Sequence, residues 1–206
     1  MKVVAFNGSP KENGNTYYAI KTVADELYKE GIEVEIIHVG NKAIRGCIAC
    51  GACSKNNGKC IIDDEVNGWV DKMINADGII LGSPVYFSGI NGTMKSFLDR
   101  AFYMAGRKLR YKVGASVVAV RRSGGVSAFN QLNNYINYAQ MLMPSSNYWN
   151  VIHGRAIGEA SQDEEGNQIM RVLGKNMAYL LKLRENGKNV VKEPEMENKI
   201  YTNFIR

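Results

Sequence analysis

Four cysteines lie close together in this 206-residue chain and are its clearest chemical signal. They are its only cysteines, Cys47, Cys50, Cys53 and Cys60, with two residues between each of the first three and six before the last. Most residues between the first three are small, which lets the backbone curl and the thiols converge. In a protein that stays in the cytoplasm, such clustering indicates metal binding or redox chemistry rather than a disulfide framework.

The compact spacing is closer to the ligand set of an iron–sulfur cluster than to the two separated pairs of a zinc ribbon. The sequence therefore favours a [4Fe–4S] cluster held by Cys47, Cys50, Cys53 and Cys60. Three alternatives stay open: a bound zinc ion, a redox-active dithiol, and four free cysteines that pack as small apolar side chains.

A second polar segment, residues 8–16, follows an apolar run at the start of the chain. It matches neither the G-x-G-x-x-G fingerprint nor the nucleotide-triphosphate P-loop. It places hydroxyl and amide side chains at the expected N-terminus of a helix, where unpaired N–H groups and the helix dipole favour an anion. The segment therefore predicts a site for a terminal phosphate. The alternative is an ordinary polar turn in which Asn15 or Thr16 caps the helix.

Two further segments are expected beside the first. Residues 82–89 contain a proline and two adjacent aromatics between glycines, which suits a flat heteroaromatic ring, although aromatics that cap the core are the alternative. Residues 121–125 combine two arginines with a flexible Ser-Gly-Gly backbone. We expect all three segments at one edge of a sheet, the first against phosphate and the other two against a ring.

Five short apolar runs, at 3–6, 34–39, 78–81, 113–120 and 148–152, predict the strands that position these segments. They alternate with segments of helical periodicity. Parallel strands need crossover connections, so the alternation predicts an α/β protein with a parallel sheet and helices on both faces. We predict the doubly wound, flavodoxin-like order 2-1-3-4-5, which binds ligands outside the carboxyl ends of the first and third strands. The second run has polar residues at alternating positions, as an edge strand should.

Length and composition are those of one globular domain, with 45% hydrophobic and 22% charged residues. We predict a domain at 1–186, with the cysteine loop at 46–61, followed by a C-terminal tail or arm at 187–206. The tail either frays or packs across a dimer through Tyr201, Phe204 and Ile205. Neither a membrane span nor a signal peptide is expected, which predicts a cytoplasmic protein.

The net charge of +6 reflects a concentration of eight basic residues between positions 95 and 122, where Asp99 is the single acid. We interpret it as a solvated face or subunit contact, with a dock for dinucleotide phosphates or an acidic partner as the alternative. No nucleic-acid-binding motif accompanies it, so a nucleic-acid partner is not expected.

Hydrolytic chemistry is also disfavoured. The two histidines, His38 and His153, are predicted to be structural or edge residues, and the acidic run 63–65 is predicted to start a helix. Ser83 and Ser88 lack the G-x-S-x-G elbow. No catalytic side chain is predicted, so a cofactor must supply the reaction.

Three motifs in register resemble the flavodoxin-like NAD(P)H-dependent FMN reductases: Asn7-Gly8-Ser9-Pro10 with Gly14-Asn15-Thr16, Gly82-Ser83-Pro84-Val85-Tyr86, and Arg122-Ser123-Gly124-Gly125. The resemblance covers residues 1 to about 155. It implies an FMN whose phosphate is held by Ser9, Lys11, Asn15 and Thr16. It further implies a ribityl chain and ring lined by Pro84, Val85, Tyr86 and Phe87, with Ser123, Gly124 and Gly125 approaching the isoalloxazine. The cysteine spacing resembles the iron–sulfur flavoprotein branch of the same family.

The sequence thus predicts an FMN-dependent oxidoreductase that passes electrons from NAD(P)H or a reduced carrier to a small-molecule or protein acceptor. Arg122 is predicted to offset negative charge on the reduced flavin. One alternative is an iron–sulfur flavoprotein electron carrier. Another is a non-catalytic flavodoxin-type FMN carrier, although the positive net charge argues against its usual acidic surface, and a third is a metal-binding module with an empty pocket. The resemblance also implies a homodimer or homotetramer.

Overall fold

The computed structural model describes residues 1–205 and alternates strands with helices, as predicted. Short 3-10 turns occupy Ala52–Ser54, Gly106–Leu109 and Glu159–Gln162. In chain order the strands and helices are β1 (Lys2–Asn7), α1 (Asn15–Lys29), β2 (Glu33–His38), α2 (Val66–Asn75), β3 (Gly78–Tyr86), β4 (Gly89–Ile90), α3 (Gly92–Ala105), β5 (Val113–Val120), α4 (Gly125–Tyr138), β6 (Val151–His153) and α5 (Glu164–Gly187).

The sheet has the order β2-β1-β3-β5-β6, and these five strands are parallel. The predicted order is therefore confirmed for five parallel strands, with β2 at one edge. The sequence did not predict β4, a two-residue strand that pairs antiparallel with the end of β3 through Val85 and Ile90. Because β4 folds back and completes the ladder, β3 stays extended to Tyr86 instead of ending near Leu81. More than half of the segment 82–89, which the sequence predicts as a loop, is thus strand.

Two apolar layers cover the sheet, one on each face. Successive residues of β1 point to opposite faces, so Val3 packs in one layer and Val4 in the other. Helices α1 and α5 cover the first face, and α2, α3 and α4 cover the second. In the second layer the rings of Phe6 and Phe97 lie 4.7 Å apart between centroids. None of the helices in the part of the chain that the structure describes is long and apolar enough to cross a membrane.

The expected basic face does not include all eight residues. Arg100, one of its eight members, is buried in α3 with 1% of its surface exposed. Lys95 pairs with Asp99 on the same helix, and the Nζ of Lys112 donates to the carbonyl of Ala76. Positions close in sequence are separated here because one helical turn carries both an inward and an outward face.

The tail beyond α5 contains neither helix nor strand in residues 188–205. Arg110 Nη1 donates to the carbonyl of Pro194 at 2.9 Å, which holds part of the tail to the domain. Tyr201, Phe204 and Ile205 are exposed. Packing of these three side chains across a dimer stays a prediction.

Gly40, the first glycine after β2, lies too close to Ser9 to accommodate a side chain. A Cβ at Gly40 would lie 2.2 Å from the carbonyl carbon and oxygen of Ser9, whereas a Cβ at Gly68 in α2 meets nothing within 4 Å. We expect Gly40→Ala to lower the free energy of unfolding by about 1–3 kcal/mol through overpacking. Gly68→Ala should raise it by about 0.5–1 kcal/mol through helix propensity. Urea unfolding measures both, and equal values for the two variants would contradict the close approach.

Candidate functional site

The loop between β1 and α1, residues 8–14 and here called the first loop, is held in place by its own polar groups. The Asn7 Oδ1 accepts from the Ser9 N–H at 3.0 Å, and the Ser9 Oγ accepts from the Lys11 N–H at 3.1 Å. The Gly8 N–H donates to the carbonyl of Gly82 at 2.8 Å, so the first loop lies directly on β3. The structure therefore joins the first two of the three segments that the sequence singled out.

The N-terminus of α1 opens at this loop. The helix starts after Gly14, and no side chain in residues 1–205 caps it, so a cap by Asn15 or Thr16 is wrong. The N–H groups of a helix's first turn have no intrahelical partner, and the dipole of this 15-residue helix favours negative charge there. Thr16 is buried at 1% exposure and Ser9 at 5%, beside the same turn. These groups form a cradle suited to a phosphate.

The Asn15 side chain makes long-range hydrogen bonds that the sequence did not predict. Its Nδ2 donates to the carbonyl of Ala156 at 2.9 Å, and its Oδ1 accepts from the N–H of Gly158 at 3.2 Å and of Ala160 at 3.4 Å. The Asn15 carboxamide thus fastens the segment after β6 to the start of α1. Of the four residues predicted to hold phosphate, Asn15 is the one whose side chain is engaged across the chain.

The β3–β4 hairpin forms the second side of the site. Pro84 and Val85 are half-buried, and the more exposed Tyr86 leads into the turn. Phe87 and Ser88 both have positive φ, 49° and 60°, as two-residue hairpin turns require. This turn leaves the Phe87 ring fully exposed at the hairpin tip. The structure therefore places Pro84, Val85 and Tyr86 at the end of β3 and leaves Phe87 exposed at the hairpin tip.

The third segment packs against the hairpin. Gly124 has a φ of +87°, and a Cβ there would lie 2.9 Å from the Cα of Ser88, so the close approach and the conformation both require glycine. Helix α4 starts at Gly125 without a side-chain cap, which leaves a second helix N-terminus open at this edge. Arg122 and Ser123 are exposed beside it. All three predicted segments therefore meet at the carboxyl ends of β1, β3 and β5.

The cysteine loop follows β2. Its four thiols line one cavity of about 100 Å³, together with side chains of α3. The predicted curl is present, since Ala49 and Gly51 have φ values of 53° and 68°. Asn67 of α2 fixes the last cysteine, because its Oδ1 accepts from the Cys60 N–H at 2.9 Å and its Nδ2 donates to the Cys60 carbonyl at 3.1 Å. Within residues 1–205 no three Cys, His, Asp or Glu side chains are arranged to hold one metal ion.

Arg100 in the wall of that cavity was missed by the sequence analysis. Both of its Nη atoms donate to the Asp64 carboxylate, and they also donate to the carbonyls of Arg45 and Ile62, each at 3.3 Å. These two carbonyls stand just before and just after the cysteine loop, so one guanidinium closes it. The sequence carried a signal, since Arg100 lies three residues after one buried apolar residue of α3 and four before another.

Asp64 was predicted only as part of a helix start. Helix α2 starts at Val66, and Asp64 also accepts from the Val66 N–H at 3.2 Å. Burial raises the pKa of the Asp64 carboxyl, but the hydrogen bonds and charge of Arg100, together with the Val66 N–H, outweigh it. The net result is a pKa of Asp64 below the ordinary 3.8. The carboxylate is therefore charged at neutral pH.

The parallel order of the sheet, with loops gathered at the point where the winding reverses, defines a flavodoxin-like α/β protein. The NADPH-dependent FMN reductase family matches residues 1–156. The chain belongs to this family, as its three motifs predict.

Known proteins resemble the chain beyond the matched region. An iron–sulfur flavoprotein of Methanocaldococcus jannaschii is 38% identical over 191 residues, which cover 89% of this chain and 98% of that protein. The crystal structure of RosB with the bound intermediate 8-demethyl-8-formylriboflavin-5'-phosphate matches 100% of this chain and 94% of RosB, with a TM-score of 0.74 and 16% identity. A WrbA-like flavodoxin from Agrobacterium tumefaciens matches with a TM-score of 0.59 and 18% identity, covering 88% of this chain and 96% of that one. The two structures are similar in fold alone.

The Arg100–Asp64 pair should give stability a defined pH dependence. Asp64→Asn leaves the guanidinium buried without a counter-charge, so we expect the free energy of unfolding to fall by about 3 kcal/mol at pH 7. Because the folded-state pKa of Asp64 is lowered, the carboxylate's contribution is complete above the unfolded pKa of about 4 and is lost as the pH falls through the folded value. The difference in the free energy of unfolding between wild type and Asp64→Asn, measured by urea unfolding, should therefore narrow from pH 7 to pH 3. A gap of constant size would contradict the ion pair's role.

Proposed function

We propose that this FMN-dependent oxidoreductase receives electrons from NAD(P)H or a reduced carrier and passes them to a small-molecule or protein acceptor. We further propose that a [4Fe–4S] cluster on the four cysteines provides a one-electron path. The observation that carries the proposal is the meeting of the three segments at one edge of the sheet, where two uncapped helix N-termini open. Bound FMN would exchange electrons singly or in pairs, and the cluster would exchange them singly.

The first loop fits the phosphate end of FMN. Ser9 and Thr16 place hydroxyl groups beside the unpaired N–H groups of α1, and the exposed Lys11 adds a positive charge. A phosphate accepts several hydrogen bonds at once, so this set of donors suits it without many formal charges. In this proposal Asn15 acts through its contact with residues 156–160, which keeps the start of α1 in position.

The hairpin and the third segment fit the ribityl chain and the ring. Pro84, Val85 and Tyr86 would line one side, and Ser123, Gly124 and Gly125 would approach the other. Of the arginines in residues 1–205, Arg100 and Arg184 form ion pairs and the exposed Arg122 does not, so the Arg122 guanidinium is free for a negative charge on the reduced ring. The open N-terminus of α4 favours the same charge. Phe87 would reach the ring only from the exposed hairpin tip.

The cysteine loop fits a cluster in its donor chemistry. All four thiols line the same cavity, and the buried Arg100 puts a positive charge in its wall, where four thiolates would need one. Four thiolates on a single zinc ion must crowd around one point, whereas each thiolate of a cluster binds its own iron. The similarity to an iron–sulfur flavoprotein over 89% of the chain favours the cluster over the other three readings.

Location, assembly and reductant complete the proposal. We propose a cytoplasmic homodimer or homotetramer, because related sites include residues from a partner subunit. The apolar ring of Phe87 is exposed at the tip of the β3–β4 hairpin, where it can contact such a subunit. Reduction assays with NADH and with NADPH identify the electron donor, and assays with candidate acceptors identify the acceptor.

The phosphate cradle can be tested by removing two hydroxyl groups. We expect the double variant Ser9→Ala with Thr16→Ala to weaken FMN binding by about 1–3 kcal/mol in total, the usual cost of such hydrogen bonds. Riboflavin, which lacks the phosphate, should bind the variant as it binds wild type. Fluorescence titration of the flavin-free protein measures both.

Thr22→Ala is the matched control for this titration. The Thr22 hydroxyl donates to the carbonyl of Tyr18 within α1 and lies away from the first loop. Its removal should leave both affinities unchanged. An equal loss for FMN and riboflavin in the double variant would remove Ser9 and Thr16 from the phosphate site.

The cofactors can be tested by the absorption and iron content of protein purified without oxygen. We expect flavin bands, a broad iron–sulfur absorption and about four iron atoms per chain. Cys50→Ser should lose the iron and keep the flavin, and NADPH or NADH should still bleach the flavin bands. Colourless protein that takes up no added FMN would overturn the flavin proposal. Iron-free protein with full flavin would overturn the cluster alone.

A further inference from the structure

The cavity lined by the four cysteines has one charged side chain in its wall, Arg100. Its guanidinium is buried at 1% exposure and comes from α3, whereas the thiols come from the loop after β2. A fully buried charge is rare unless it is paired. Each N–H of this guanidinium is therefore expected to have a hydrogen-bond acceptor.

Four of the five N–H donors of Arg100 are already used. Nη1 donates to Asp64 and to the Arg45 carbonyl, and Nη2 donates to Asp64 and to the Ile62 carbonyl. The fifth, the Nε–H, is buried and has no acceptor among residues 1–205. Buried N–H groups in native proteins nearly always have an acceptor, so the unpaired Nε–H of this cavity-lining residue is free to donate to a bound group.

Cys60 and Arg100 line the same cavity. The Cys60 sulfur does not accept a hydrogen bond from the Nε–H, which has no partner among residues 1–205. A ligand that draws the four sulfurs together would bring an acceptor into this position.

We propose that Arg100 holds and tunes the iron–sulfur cluster: its Nη atoms close the cysteine loop, and its Nε–H donates to a sulfur of the cluster or its ligands. This inference rests on the cluster proposed above. Reduction adds one negative charge to the cluster, and a nearby cation with an N–H donor stabilises the reduced form more than the oxidised form. Arg100 therefore raises the cluster's reduction potential. Asp64 contacts the Nη atoms and not the cavity, so it opposes this effect only partly.

The test compares holoprotein variants by anaerobic redox titration of the cluster, followed by electron paramagnetic resonance, with iron content measured in each. The double variant Arg100→Met with Asp64→Asn removes both charges together, so neither is left buried and unpaired. We expect it to keep iron but to reduce about tenfold less favourably, which is a fall of about 59 mV for one electron. Asp64→Asn alone leaves the guanidinium in place and should raise the potential.

A surface pair on the same helix supplies the matched control. Lys95 and Asp99 of α3 form an exposed ion pair, and neither residue lines the cysteine cavity. The double variant Lys95→Met with Asp99→Asn changes charge in the same way and should leave the cluster potential unchanged. Flavin absorption in each variant reports whether the domain has folded.

The outcomes separate the two proposals. Wild-type protein that binds flavin but no iron would overturn the cluster and, with it, this role of Arg100. If wild type forms a cluster, and the cluster has the wild-type potential in both the Arg100 double variant and Asp64→Asn, the role of Arg100 alone is overturned. Should the Arg100 double variant fail to fold, Asp64→Asn decides the matter, because an unchanged potential there rejects the proposal and a raised one supports it.

Discussion

The parallel pairing of β1 with β3 at the centre of the sheet is the constraint on which the site depends. The helix after β1 packs on one face of the sheet, and the helix after β3 packs on the other. Their connections must therefore leave in opposite directions, which opens a crevice at the carboxyl ends of these two strands. The hydrogen bond from Gly8 to the Gly82 carbonyl closes the base of this crevice. All proposed flavin contacts lie along the edge of this crevice, here called the rim.

The rim is built to receive negative charge at two places. Helices α1 and α4 both start there after a glycine, and neither start is capped by a side chain. A glycine at the cap position offers no side-chain oxygen to the helix, so first-turn N–H groups stay available to a ligand. Lys11 and Arg122 add exposed positive charge at the two ends. An anionic group at one end and a ring that gains charge on reduction at the other match this layout, without any acid or base from the protein.

The cysteine loop is positioned by polar contacts rather than by regular structure. Arg100 joins its two ends, and Asn67 fixes the backbone of Cys60. At the end of β2 the Nε2 of His38 lies 2.7 Å from the carbonyl of Ser9, so the edge strand that leads into the cysteine loop also steadies the first loop.

The amino-acid sequence by itself determined the alternation of strands and helices, the edge position of β2 and the three segments that meet at the rim. These follow from local periodicity and from one geometric rule, that the carboxyl ends of parallel strands share an edge. Only the tertiary structure decided the burial of Arg100, the engagement of Asn15 and the exposure of Phe87. The first two depend on partners 36 and 141 residues away in the chain, and the third depends on a hairpin whose pairing no local pattern shows. Such contacts depend on how the packed elements approach one another, and a periodic sequence pattern does not specify that approach.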